Sequence, residues 1–130
     1  MNIDHIAIWT SDLEKEKDFF MKYFDCSAGE KYVNQKKQFS SYFISFTGRA
    51  RIELMKRDDL TMERAGESLG IAHIALDTGS MEKVDDLTSV LEHDGHRIVS
   101  RPRITGDGYY ESVVLDPEGN VIELMSKVQS

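Results

Sequence analysis

The stretch "DHIAIWT" at 4–10 returns almost letter for letter as "AHIALDT" at 72–78. Each copy carries a histidine second, followed by alternating apolar residues rich in Ile, which reads as a β-strand. A second word is also written twice: "ARIELM" at 50–55 and "NVIELM" at 120–125, each with a glutamate fourth. The echo therefore singles out four polar residues, His5, Glu53, His73 and Glu123.

Working outward from these words, the segments between them follow one order. "SDLEKEKDFFMKYF" at 11–24 has helical spacing, with Leu13, Phe20 and Phe24 on one stripe and the lysines and glutamates opposite. Ser11 followed by Glu14 reads as a capping box for its start. Two strands are expected next, at 40–46 and 50–55, joined by a turn at "TGR". After a polar connector containing Gly66 and Gly70 the order repeats: a strand at "GIAHIALDT", then a helix marked by Met81, Val84, Leu87 and Leu91 that ends at Gly95. The strands "YYESVVLD" and "NVIELM" follow, around the turn "DPEGN". "EKYVNQ" and "HRIVSRP" add a strand to each half. The expectation is an α+β fold of two tandem βαβββ modules, about 1–57 and 70–127, with a connector at about 58–69, together making one domain over 1–130.

Bulk properties narrow the function. A chain of 130 residues can bury about two-thirds of its unfolded surface, so it needs no metal merely to stay folded. Net charge is −7, and the sixteen Lys and Arg are scattered among the acids, which argues against a nucleic-acid partner. No run approaches the roughly eighteen uncharged apolar residues of a membrane helix, and no signal peptide is expected at the N-terminus. Cys26, the one cysteine, cannot form an internal disulfide and reads as a half-buried, inert thiol in a reducing cytoplasm.

Strand parity gives the four repeated polar residues their meaning. His5 shares a face with Ala7 and Trp9, Glu53 with Arg51 and Met55, His73 with Ala75, and Glu123 with Val121 and Met125. Taken singly, each could be a satisfied core histidine or a solvated carboxylate. Taken together, two carboxylates facing one another would repel, and a divalent cation removes that conflict. Two neutral imidazoles and two carboxylates give it four donors of net charge −2. The His-to-Glu interval is 48 residues in the first half and 50 in the second, as a two-fold related pair of modules requires.

The doubled pattern, with "HIAIW…IELM" and "HIAL…DPEGNVIEL", resembles the vicinal oxygen chelate superfamily, the group of glyoxalase I, bleomycin resistance proteins and extradiol dioxygenases. The resemblance spans residues 2 to 126 and is strongest to short bacterial glyoxalase I-like proteins. It implies that the sheets of the two modules pair into a cupped, incomplete barrel, and that His5, Glu53, His73 and Glu123 ligate one divalent ion, Ni, Co, Zn, Mn or Fe. It further implies a small-molecule substrate, such as the thiohemiacetal of an α-oxoaldehyde. That substrate would be isomerised to a 2-hydroxyacyl thioester by proton transfer through a metal-stabilised enediolate, with Glu123 as base and Glu53 as the alternative.

Other members set the competing expectations. A thiol transferase or a dioxygenase on this fold needs two His and one Glu, and a drug-binding resistance module needs no ligands, so four retained donors favour the lyase. The resemblance departs at Trp9 and Arg57, where glutathione-using members carry Arg and Asn; the thiol is thus unassigned. Candidate substrate contacts are Trp9 as a pocket wall, Arg51 on the Glu53 face, and Tyr110, one of two adjacent tyrosines that alternation sends to opposite faces, so that at most one points inward. A homodimer is implied, with the metal site either within one chain or shared between two.

Overall fold

The structure is a computed structural model that describes residues 1–63 and 67–128. Gly66 and the middle of the expected connector lie outside the described residues. The chain forms two compact units, Met1–Glu63 and Arg64–Ser130.

The first unit runs β1 (His5–Trp9), α1 (Leu13–Tyr23), β2 (Ser27–Ala28), β3 (Tyr32–Asn34), β4 (Phe39–Ser45) and β5 (Arg51–Arg57). Its sheet has the order β1-β5-β4-β2, with β3 also paired to β4. β1 lies parallel to β5, and β4 antiparallel to it. The two-residue β2 was not expected; a strand that short carries no alternation to read.

Helix α1 packs on this sheet through an aromatic face. Leu13, Phe19, Phe20, Tyr23 and Phe24 are buried, as are Ile44, Ile52 and Leu54 from the strands. The Phe20 ring lies 5.6 Å from both Phe19 and Phe24. Each such phenylalanine contributes about 1.5–3 kcal/mol by leaving water. Two details differ from the sequence expectation. Glu16, expected on the polar face, is fully buried, because it stands three residues after Leu13 and four before Phe20 and so falls on their stripe. The cap is Asp12 rather than Ser11: its carboxylate accepts from the Lys15 N–H at 3.1 Å. Thr10 Oγ1 in turn accepts from the Asp12 N–H at 3.2 Å, which places Asp12 in the extended conformation a cap needs.

The second unit runs β6 (Ile74–Asp77), α2 (Met81–His93), β7 (Ile98–Ile104), β8 (Tyr109–Leu115) and β9 (Val121–Lys127). Its sheet has the order β6-β9-β8-β7, with β6 parallel to β9 and the other pairs antiparallel. Pro102 sits in β7, an edge strand, where a missing N–H is tolerated. Ser80 caps α2, accepting from the Lys83 N–H at 3.1 Å. The helix ends as expected at Gly95, whose φ of 89° suits a residue without a Cβ. The Gly95 N–H reaches Glu92 O and the His96 N–H reaches Leu91 O, the paired bonds of a Schellman motif. Val84, Leu91, Val114, Ile122 and Leu124 form the core, and a buried hydroxyl pair, Thr88 and Ser112 at 2.7 Å, ties α2 to β8.

The fold is thus α+β, with one helix on each of two mixed sheets, and neither sheet closes into a barrel.

Candidate metal centre

The repeated word "IEL" does two jobs in each unit. Ile52 and Leu54, and likewise Ile122 and Leu124, are buried to 4% exposure or less beneath the helix. Alternation then forces Glu53 and Glu123 through to the opposite face. Both carboxylates are largely covered, with side-chain exposures of 15% and 18%.

The parallel neighbour brings the histidine to the glutamate. In the first unit Ala7 stands opposite Glu53, and in the second Ala75 stands opposite Glu123. The histidine two residues earlier shares the face of that alanine and leans toward the carboxylate. His5 Nε2 lies 3.7 Å from Glu53 Oε1, and His73 Nε2 lies 3.2 Å from Glu123 Oε1. The structure therefore arranges the four expected donors as two His/Glu pairs, one in each unit. Among the described residues, no group of three or more His, Cys, Asp or Glu side chains is gathered that could hold an ion. Two donors that each sit about 2.0–2.2 Å from a single ion are separated by at most about 4.4 Å; both pairs meet that limit.

The surroundings of the two pairs differ. In the first unit, Phe43 stands opposite Glu53 on β4, its ring edge-on to His5 at 5.1 Å. The Arg51 guanidinium lies over the other part of this cluster, 4.2 Å from the Phe43 ring centre. Arg51 also donates to Asp4 at 2.8 Å, and Asp4 accepts from His5 Nδ1 at 2.7 Å. These contacts hold the Asp4 carboxyl below its ordinary range, through the His5 hydrogen bond first and then Arg51.

In the second unit, Val113 replaces Phe43 opposite the glutamate. Glu111, on the same face of β8, is pushed up, chiefly by burial and then by the neighbouring charge of Glu123. Arg103, 3.8 Å away, opposes that rise. Asp4, Phe43 and Glu111 were not singled out from the sequence. Parity alone could have found Phe43 and Glu111 once the pairing of β4 and β8 with the glutamate strands was fixed.

The expected substrate contacts have different settings. Trp9 remains 45% exposed, with the Arg57 guanidinium 5.2 Å from its ring centre. These are the two positions at which the resemblance departs, and here they form one stacked pair. Arg51 is engaged with Asp4 and Phe43. Tyr110 turns to the helix side, donating to Asp85 on α2 at 2.6 Å, and it is Tyr109 that shares the strand face of Glu111 and Glu123. Cys26 donates to Phe20 O at 3.2 Å, and burial pushes its thiol up to about 11, so it carries little nucleophilic thiolate.

A model of the Glyoxalase/Bleomycin resistance protein/Dioxygenase superfamily matches residues 2–124. The chain belongs to that superfamily. Among solved structures, it resembles a glyoxylase/bleomycin resistance protein/dioxygenase domain from Frankia sp. EAN1pec, with a TM-score of 0.85, 16% identity, and 98% of each chain covered. It also resembles a glyoxalase family protein from Enterococcus faecalis, with a TM-score of 0.78, 21% identity, and 96% of this chain and 97% of that one covered. Glyoxalase I from Zea mays gives a TM-score of 0.80 at 18% identity, with 98% of this chain matched to 45% of the maize protein. At these identities the likeness is one of fold. No curated protein matches the sequence significantly.

Proposed function

We propose that the protein is a metal-dependent lyase or isomerase of the glyoxalase I type, in which His5, Glu53, His73 and Glu123 together hold one divalent cation, Ni, Co, Zn, Mn or Fe. The observation that carries this reading is the recurrence of the same His/Glu pair, at the same strand register opposite Ala7 and Ala75, in both units. A largely covered carboxylate needs a partner to stay ionised, and the chain sets a histidine beside one twice. A bound divalent cation supplies Lewis acidity, stabilising negative charge as it develops on a substrate oxygen.

The chain's own residues move the proton. Glu123 is the proposed base, with Glu53 the alternative. The carboxylate takes the proton from the carbon beside the substrate's carbonyl and returns it to the carbonyl carbon, while the hydroxyl proton passes from the first oxygen to the second, so that a thiohemiacetal of an α-oxoaldehyde becomes a 2-hydroxyacyl thioester with no atom gained or lost. Trp9, with Arg57 on its ring, offers a flat wall for the substrate, and Arg51 offers the N–H groups not used by Asp4. Tyr110 has no place in this reading, since its hydroxyl is committed to Asp85. The two modules work as a single domain, in a homodimer, in the cytoplasm.

The test is turnover of methylglyoxal with each of several thiols by protein loaded with each of the five metals, followed through thioester formation. Turnover with at least one thiol, lost in Glu123→Gln, is the expected result. Absence of turnover with every thiol and metal would overturn the lyase reading.

A further inference from the structure

We infer that Asp4 is a positioning residue for His5, holding the imidazole in the tautomer that carries its hydrogen on Nδ1 and leaves the Nε2 lone pair facing Glu53. The inference rests on the proposed metal function for its purpose, but not for its geometry.

The geometry starts with the backbone. The Arg51 N–H donates to the Asp4 carbonyl at 3.0 Å, which extends the β1–β5 pairing by one residue and fixes where Asp4 stands. One oxygen of its side chain, Oδ2, then meets both His5 Nδ1 at 2.7 Å and Arg51 Nη2 at 2.8 Å. An ionised carboxylate only accepts hydrogen bonds, so Nδ1 must donate. In a neutral ring the other nitrogen is then an acceptor. That acceptor, Nε2, stands 3.7 Å from Glu53 Oε1, beyond hydrogen-bond length. Two acceptors face one another across a gap, the arrangement that a cation completes.

Phe43 braces the same circuit, touching the His5 ring on its edge and lying beneath the Arg51 guanidinium. Ring angle and tautomer are therefore both determined before any ion arrives. Such an outer carboxylate behind a ligating histidine orients it and raises its basicity.

The second unit does not repeat Asp4 and Arg51. The residue before His73 is Ala72, and the residue two before Glu123 is Val121, where the first unit has Asp4 and Arg51. The two histidines are thus inequivalent: the first has a carboxylate residue immediately before it in sequence, and the second has an alanine there.

The test is long-range proton–nitrogen NMR of the imidazole rings in chelator-treated, full-length protein at about pH 8.5, above the ordinary histidine range. It compares wild type, Asp4→Ala and Arg51→Gln, alongside Zn²⁺ affinity by competition. The Asp4 side chain is 71% exposed, so its loss leaves the core intact. In the wild type His5 should be the Nδ1–H tautomer. In Asp4→Ala it should shift toward Nε2–H while His73 is unchanged, and Zn²⁺ should bind about tenfold more weakly. Arg51→Gln should give a smaller shift in the same direction. An Nε2–H tautomer in wild type, or a His5 signal that Asp4→Ala does not move, would overturn the inference. A wild type with the expected tautomer but no affinity for Zn²⁺ would uphold the positioning of the ring and overturn the metal reading instead.

Discussion

Glu53 stands opposite Ala7 on the neighbouring parallel strand, and this single register places a carboxylate and the histidine two residues before that alanine on one sheet face. The same relationship joins Glu123 to Ala75. Because the flanking Ile and Leu of each glutamate strand are buried under a helix, a slip of one residue would expose the core and bury the acid. The candidate donors are thus positioned by the packing of the hydrophobic core.

Under the proposed chemistry, Glu123→Gln keeps the side chain's shape but removes the proton acceptor. Loss of a general base lowers kcat by about 10²–10⁴-fold. The comparison is made on preparations matched for bound metal, so that weakened ion binding is not read as slowed proton transfer. If Glu53→Gln shows the larger loss, the two carboxylates exchange roles.

Glu111 gives a stability prediction whose sign follows from its surroundings. Burial and the charge of Glu123 raise its folded-state pKa above the unfolded value, so between the two values the native state binds more protons than the unfolded one. Stability from this group is therefore present below the unfolded pKa and is lost as pH rises through the folded one. In metal-free protein, Glu111→Gln should raise the Tm relative to wild type more at pH 7 than at pH 4, as scanning calorimetry would show. An equal shift at both pH values would count against the raised pKa.

The buried hydroxyls of α2 and β8 give a third prediction. Thr88 Oγ1 donates its hydrogen to Val84 O at 2.6 Å, which leaves Ser112 as the donor across the 2.7 Å contact. Thr88→Val strands that buried Ser112 hydroxyl and should cost about 1–3 kcal/mol. Ser112→Ala leaves Thr88 its helix partner and should cost less, near 1 kcal/mol. The double variant should cost less than the sum of the two in urea unfolding.

Much of this was legible in the sequence because it is written twice. The repeated His and Glu words and the helical stripes depend on local spacing and appear in both units, and the Gly95 stop of α2 is equally local. What escaped had two sources. Some of it was local detail: Asp12 caps α1 because Thr10 turns the backbone for it, and Glu16 falls on the buried stripe of Leu13 and Phe20 despite its charge; the rest was set by partners distant in the chain. Tyr110 falls by strand parity on the helix face with the buried Ser112 and Val114, where its hydroxyl meets Asp85 on α2. Asp4 and Phe43 gained their importance only through the β1–β5 and β4–β5 registers, which no short window of sequence specifies.

The proposed site requires that two His/Glu pairs serve one ion. The most direct measurement is bound-metal stoichiometry in wild type, His5→Ala and His73→Ala, each equilibrated with Ni²⁺, Co²⁺, Zn²⁺, Mn²⁺ or Fe²⁺ and dialysed. The expected result is about one tightly held ion per chain in wild type for at least one metal, and its loss when either histidine is removed. Two ions per chain, retention of full binding after one substitution, or no tight binding of any of the five would contradict it.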